Sequence, residues 1–282
     1  MTGFIVVNKL EGVSSAREVA IIKRLTGMPC GHMGTLDPMA SGVLPIAVGN
    51  ATRLFDFFLN KTKTYVATFR FGEDYDTLDT TGTLLKSGER IPSPEEIDAV
   101  IPKLVGEIMQ VPPKYSAKNV NGQRGYKLAR EGVEFTLPPK KVSIYSIKRL
   151  SYDGDSSFSF EIVCGGGTYI RSIARDMAKE LGTVATMSRL VRTSSGPFII
   201  EKSVATNELN KDNLKDYFIP CDSVTPFEDI RLNERDAKKL FNGIAIRYSL
   251  ADGTYRLYAP DGSFYGLGCI TEGILKVRVK LC

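Results

Sequence analysis

Gly31-His32-Met33-Gly34-Thr35-Leu36-Asp37-Pro38-Met39-Ala40-Ser41-Gly42 is the stretch that decides how this chain is to be read. Its glycines and its proline hold the backbone to a few conformations. Asp37 precedes Pro38, and a proline ring disfavours the helical conformation of the residue before it. The Asp37 backbone is therefore extended, and its carboxylate projects from a fixed point. An Asp-Pro pair also starts ordinary turns, so spacing alone leaves a chemical and a structural role open.

Composition narrows the chemistry. A chain of 282 residues is long enough for one large domain and a small one. Apolar residues make up 43% and charged residues 24%, so a packed core is expected and wholesale disorder is not. The formal charge of +5 permits a polyanionic partner without requiring one. His32 is the single histidine. Metal sites built on two or three histidines are thereby excluded, and any Ser-His-Asp or Cys-His arrangement would have to use His32. Acid–base work falls to carboxylates, Tyr, Lys or Arg.

Cys30, Cys164, Cys221, Cys269 and Cys282 are scattered and form no C-x-x-C pair. That pattern suits a reducing, cytoplasmic setting better than a disulfide framework or a zinc ribbon. The N-terminus lacks the apolar core of a signal peptide, and no apolar run approaches a membrane span. The acidic run Glu73-Asp74-Tyr75-Asp76-Thr77-Leu78-Asp79 has the wrong spacing for a calcium loop. No metal is expected there.

Outward from the loop, residues 4–9 read as a strand. Residues 15–26 read as a helix capped by Ser14 or Ser15 and stopped by Gly27. Residues 28–42 read as irregular loop and 43–48 as a strand, which Pro45 places at an edge or a bulge. Asn50 is a candidate cap for a helix through Phe58. Residues 63–71 alternate like a half-buried strand. Ser93-Pro94-Glu95-Glu96 is a capping box opening a helix to about Leu104. Strands follow at 141–150 and 157–164 around the turn Asp153-Gly154-Asp155, then a helix over 168–181 and a strand at 184–193. After about 226 the chain turns to short strands and glycine turns. Strand–helix–strand alternation is missing, so the expected class is α+β with a mixed, mainly antiparallel sheet.

Three further segments could carry chemistry. Lys61-Thr62-Lys63-Thr64-Tyr65 puts a tyrosine on a strand, where half-buried packing is its usual role. Cys164-Gly165-Gly166-Gly167-Thr168-Tyr169-Ile170-Arg171 is a glycine-rich entry to a helix, without P-loop or dinucleotide-binding spacing. Between Pro112-Pro113 and Pro138-Pro139 lies an inserted arm with Lys114, Lys118, Arg124, Lys127 and Arg130 among tyrosines and amides. Cations for phosphate beside rings and amides for splayed bases suit RNA; a solvated basic helix is the plainer reading.

The string GHMGTLDPMASGVLPIAVGNATR, residues 31–53, resembles the catalytic motif of the TruB pseudouridine synthases. The resemblance implies that Asp37 is the essential aspartate and that His32 helps open the T loop of tRNA and displace the target base. Lys63-Thr64-Tyr65 is similar to a family pattern whose Tyr stacks on the flipped uracil and takes a proton from C5. Gly167-Thr168-Tyr169-Ile170-Arg171 is similar to a family signature, which implies that Arg171 pairs with the carboxylate and that Tyr169 packs beneath it. A guanidinium in that place keeps a carboxylate oriented. Asn8-Lys9 resembles the family's N-terminal lysine beside the site, with Leu10 where Pro is usual. Leu190, within Ser188-Arg189-Leu190-Val191-Arg192, would line the base pocket. Asp76-Thr77-Leu78-Asp79 resembles the segment that follows the tyrosine strand.

The arm over 112–140 is similar to the family's thumb insertion, which closes on the T stem-loop. Residues 1–226 would form the catalytic domain, and 227–282 a small PUA-like RNA-binding domain facing the acceptor side. The implied activity is isomerisation of the T-loop uridine (position 55) to pseudouridine by base flipping, a reaction without redox change or phosphate energy, so no cofactor is expected. The implied actor is a cytoplasmic monomer of the bacterial stand-alone type, without an obligatory protein partner, that could also assist tRNA folding. A non-catalytic RNA-binding protein and a nucleoside hydrolase are the rival readings.

Overall fold

The structure, a computed structural model, describes residues 2–59, 61–115, 119–120, 123–124, 133, 135 and 137–281. In chain order, β1 (Gly3–Lys9) leads into α1 (Ser15–Thr26), and β2 (Cys30–His32) and β3 (Ser41–Val48) flank the loop that carries Asp37. A 3-10 turn (Gly49–Leu54) and α2 (Phe55–Leu59) precede β4 (Lys63–Phe71), then come β5 (Asp74–Tyr75), β6 (Leu84–Lys86), α3 (Pro94–Leu104) and β7 (Gly106–Gln110). The arm contains β8 (Asn119–Val120) and β9 (Gln123–Arg124). β10 (Lys140–Tyr152), β11 (Ser157–Cys164), α4 (Ile170–Glu180), β12 (Ala185–Ser195), β13 (Phe198–Ile199) and β14 (Phe218–Pro220) follow. The last part holds β15 (Asp229–Arg231), α5 (Glu234–Phe241), β16 (Ile246–Arg247), β17 (Gly253–Tyr258), β18 (Phe264–Thr271) and β19 (Ile274–Lys280).

Local chemistry explains several boundaries. Ser14 caps α1 through the Arg17 N–H, and Gly27 ends it in the left-handed conformation at φ 66°. Ser93 and Glu96 form the reciprocal capping box of α3. At the β10–β11 turn the Asp153 carboxylate accepts the N–H groups of Asp155, Ser156 and Ser157.

The main sheet runs β14-β1-β3-β12-β4-β11-β10-β7, with β2 also on β3 and β13 also on β12. Its pairings are antiparallel except one: β12 meets β3 in parallel, through Val191–Ser41 and Arg192–Gly42. That short parallel seam joins two antiparallel halves, and the loop carrying Asp37 enters beside it. Alternation along β4 buries Lys63, Tyr65, Ala67, Phe69 and Phe71 on one face. The main core packs around Phe69, Phe158, Phe160, Ile173 and Met177, covered by α1, α3 and α4.

A second, five-stranded sheet runs β15-β17-β18-β19-β16, with its own core around Leu257, Tyr265 and Leu275. It docks through Leu267 and Leu281 onto Phe4, Phe58 and Phe198. Polar ties reinforce the joint: Asn50 Nδ2 and Arg53 Nη1 donate to the carbonyls of Leu281 and Lys280 at 3.2 and 2.7 Å.

Several sequence expectations change. β3 is interior, since β1 lies on one side and β12 and β2 on the other. The Pro45 carbonyl accepts the Met33 N–H at 2.8 Å, and the missing Pro45 N–H falls on that same side, between the stretches paired to β12 and to β2. Asn50 caps nothing; its side chain reaches Leu281, and the segment opens as a 3-10 turn. Part of the expected loop at 28–42 is strand β2. The late helix starts at Ile170, with Tyr169 as its cap. β7 and the edge strand β14 had no clear signal. In the arm, Lys118, Lys127 and Arg130 lie outside the described residues; Arg124 lies on β9, and Lys114 is exposed. No helix among the described residues is long and apolar enough to cross a membrane.

The seam makes a stability test. Gly42 has φ +98°, and a side-chain carbon there would run into the Arg192 backbone. Gly42→Ala is expected to destabilise the protein by more than about 1 kcal/mol, read as a lower midpoint in urea unfolding.

Candidate active site

The loop between β2 and β3 is held from outside at nearly every residue around Asp37. Met33 N–H bonds to Pro45, and the Arg192 guanidinium donates to the carbonyls of Gly34 (3.0 Å), Thr35 (3.4 Å) and Val43 (2.7 Å). The Ser15 hydroxyl donates to the Leu36 carbonyl and accepts its N–H at 2.9 and 3.0 Å. Gly12 N–H and the Lys9 ammonium both reach the Pro38 carbonyl. Backbone polar groups so satisfied leave the loop little freedom. The Asp37 side chain, by contrast, is left partly exposed.

Arg171, on the first turn of α4, is buried and takes the Asp37 carboxylate at 2.9 Å through Nη2. The same nitrogen donates to the Tyr115 carbonyl at 3.0 Å. Nη1 donates to the Thr77 carbonyl at 2.9 Å and meets Asp79 at 3.2 Å. Asp79 is itself buried and accepts from the Thr77 hydroxyl and the Thr81 N–H at 2.9 and 3.1 Å. A planar, forked cation can serve four acceptors in this way, whereas an ammonium cannot.

Two cavities share this ion pair. The smaller, about 260 Å³, is walled by Asp37, Lys63, Tyr65, Tyr169, Leu190 and Arg192, with Arg171 at its edge. The larger, about 650 Å³, is walled by His32, Pro38, Thr77, Asp79 and Tyr115, again with Asp37 and Arg171. The structure thus brings Asp37, Tyr65, Tyr169, Arg171 and Leu190 to one cavity and sets His32 in the other. Lys9 lines neither. Its three ammonium protons are directed to the carbonyls of Leu10, Val13 and Pro38 at 3.0, 2.6 and 3.2 Å, so it shapes the loop.

Burial sets the electrostatics. It pushes the Lys9 and Lys63 ammonium groups each down to about 8, opposed for Lys9 mainly by Glu18 and reinforced for Lys63 by Arg192. Burial raises the Tyr65 phenol, and the Arg192 charge beside it acts in the opposite direction. His32 is held below its ordinary value by burial and then by Arg192. Among the described residues no group of three or more His, Cys, Asp and Glu could hold a metal ion.

Four contributors had been missed. Lys63 and Arg192 each lie one pleat from a residue that had been found, Tyr65 on β4 and Leu190 on β12, and share its buried face. Period two was the available signal. Asp79 lay in a run read only as nearby structure. Gln110 gave no signal: its amide accepts the Tyr169 N–H at 2.8 Å and donates to the Tyr169 carbonyl at 3.1 Å, fixing the residue that caps α4.

Comparison with known proteins places these features in a lineage. Residues 23–170 match the family described as TruB family pseudouridylate synthase (N terminal domain). Residues 229–279 match Pseudouridine synthase II TruB, C-terminal. The chain is 38% identical to tRNA pseudouridine synthase B of Clostridium acetobutylicum, covering 100% of this chain and 95% of that protein. It is 41% identical to tRNA pseudouridine synthase B of Borreliella burgdorferi, covering 90% of each. Among solved structures, a chain of a Cbf5-Nop10-Gar1 complex shares the fold with TM-score 0.72 and 24% identity, over 99% of this chain and 84% of that one.

The buried ion pair carries its own test. Asp79→Ala leaves the Arg171 cation short of one anionic partner in a dry setting. It is expected to cost roughly 3 kcal/mol of folding stability in denaturant titration. A loss below about 1 kcal/mol would mean that water or another group replaces the carboxylate.

Proposed function

The chain belongs to the TruB family of pseudouridylate synthases, and on that premise we propose that it isomerises a T-loop uridine of tRNA to pseudouridine, with Asp37 as the reacting carboxylate. One observation carries the assignment of the site: a partly exposed carboxylate, fixed by a buried guanidinium, stands where a base-sized cavity meets a wider one. A flipped uracil enters the smaller cavity, between Tyr65, Tyr169 and Leu190. The ribose and its neighbours occupy the wider one, beside His32. Extruding the base costs a few kcal/mol, which stacking on an aromatic ring and contacts to the RNA backbone offset.

The reaction breaks the N1–C1′ bond, turns the uracil and forms C5–C1′. Nothing is oxidised or reduced, and no phosphate energy is consumed. Asp37 has three available routes: attack at C1′, attack at C6, or removal of a C2′ proton to give a glycal. Each requires a positioned, accessible carboxylate oxygen, which the loop contacts and Arg171 provide. Tyr65, buried at the cavity wall, stacks on the base and takes the C5 proton on its phenol oxygen as the phenol's own proton passes on to solvent.

The basic arm, closing on the T stem-loop through Lys114, Lys118, Arg124, Lys127 and Arg130, supplies phosphate contacts. Residues 227–282 act as a PUA-like RNA-binding unit attached to a catalytic domain of 1–226. The protein works as a monomer in the cytoplasm without an obligatory partner, and its grip on tRNA suits a folding-assistance role as well.

Tritium release from T-arm RNA labelled at uridine C5 tests the activity. Asp37→Asn is expected to lower release by more than about 1,000-fold while filter binding of tRNA changes little. Free uracil among the products would instead indicate a hydrolase. For the arm, Arg124→Glu with Lys127→Glu is expected to weaken tRNA binding and reduce its salt slope by about 2. An unchanged slope would remove the arm from the RNA contacts.

A further inference from the structure

Arg171 has no terminal N–H left to follow the charge that this reaction moves. Its Nη1 serves Asp79 and the Thr77 carbonyl, and its Nη2 serves Asp37 and the Tyr115 carbonyl. In every route open to Asp37, the negative charge leaves the carboxylate and arrives on the pyrimidine. Attack at C1′ forms a C1′–O bond as N1–C1′ breaks, and the bonding pair stays on N1. Removal of the C2′ proton turns the carboxylate into the acid, forms C1′=C2′, and sends the same pair to N1. Attack at C6 forms a C6–O bond and sends the C5=C6 pair into an enolate ending on O4. One negative charge enters each step and one leaves it, displaced from Asp37 to the ring. A cation at the base end of the cavity is therefore needed, and Arg171 is committed elsewhere.

The cavity wall holds two others. Lys63 is 5% exposed and Arg192 1%, and both line the smaller cavity. Lys63 donates to the carbonyls of Leu59 and Lys61, and Arg192 to those of Gly34, Thr35 and Val43, with the neutral Tyr65 hydroxyl as a further side-chain partner of Arg192. Neither forms an ion pair among the described residues. The third ammonium N–H of Lys63 meets no acceptor there. A side-chain carbon at Gly34 would touch Lys63 Cε and Arg192 Nη1, each at 3.6 Å, so both cations converge beside the loop of Asp37. Burying two charges without a counter-ion is costly, and an anion arriving between them recovers part of that cost.

We propose that Lys63 is a catalytic residue whose free N–H takes up the negative charge on the uracil ring, with Arg192 as the neighbouring cation that keeps that end of the cavity positive. The inference rests on the pseudouridine synthase reading above. It differs from Tyr65 stacking and from the Asp37–Arg171 pair in acting on the departing base. Facing Lys63 are Cys164 across on β11, Arg192 on β12, Tyr65 on its own strand, and Asp37 and Arg171 from the loop and α4. Burial and Arg192 bring its ammonium to about 8, while the Cys164 thiol is pushed up to about 11. In the free enzyme the charge is present below that value and lost as pH rises through it. Lys9, also near 8, lines neither cavity and is separated from Lys63 by the variants below.

The test compares the full-length wild type, Lys63→Met and Lys63→Arg, following tritium release as kcat/KM from about pH 6.5 to about pH 9.5. tRNA binding and thermal melting are recorded alongside. The wild type is expected to lose activity above about pH 8. Lys63→Arg should keep activity within about tenfold and lose that alkaline fall, because a guanidinium stays charged. Lys63→Met should bind tRNA within about threefold of wild type and react about 100-fold more slowly, the scale of losing one donor to a developing anion. An active wild type with a flat profile to about pH 9.5 would overturn the inference, and so would a folded Lys63→Met within about threefold of the wild-type rate. Should Lys63→Met not fold, the wild-type and Lys63→Arg profiles decide. A wild type that releases no tritium would instead overturn the underlying assignment.

Discussion

One buried guanidinium organises this molecule. Arg171 answers to four acceptors from three separated segments: Asp37 in the loop before β3, Thr77 and Asp79 after β4, and Tyr115 at the base of the arm. An arginine withdrawn from water is tolerable only if its N–H groups are met, so the fold must bring these segments to the start of α4. Gln110 completes the arrangement by bonding the Tyr169 backbone on both its N–H and its carbonyl. The turn that presents Arg171 is thereby held as firmly as the residue itself.

The second organising feature is the parallel contact between β12 and β3. It closes two antiparallel halves into one sheet and puts Arg192 directly behind the loop of Asp37. The loop is then fixed by its backbone, through Ser15, Lys9 and Arg192, while the carboxylate is left accessible. This division suits chemistry that needs an aimed but reachable oxygen. It also concentrates positive charge: Lys63 and Arg192 stand at the cavity without a carboxylate partner among the described residues, a disposition that favours an occupant able to carry negative charge.

Much of this was legible in the chain. Strand β4 announced itself by alternation, α1 and α3 by their caps, and the β10–β11 hairpin by its Asp-Gly turn, because those signals act within a few residues. Asp37, Tyr65 and Arg171 were found through motifs long enough to identify a family. Pro45 misled, since a proline suits an interior strand when its missing N–H falls into a gap between partners, and that gap is a property of the whole sheet. Lys63 and Arg192 lay one pleat from residues already singled out, but a strand pattern does not tell which charged side chain ends buried.

The sequence by itself determined most of the elements, the family and the carboxylate we propose as the reacting one, because capping, periodicity and an extended motif are written in neighbouring residues. Only the tertiary structure decided which cations are committed to carboxylates and which, among the described residues, meet no anionic partner. That outcome depends on acceptors far apart in the chain: the Arg171 partners lie dozens of residues before it, and Arg192 meets Val43 across 149 positions. Distances of that kind arise from sheet order and packing, which no local pattern encodes.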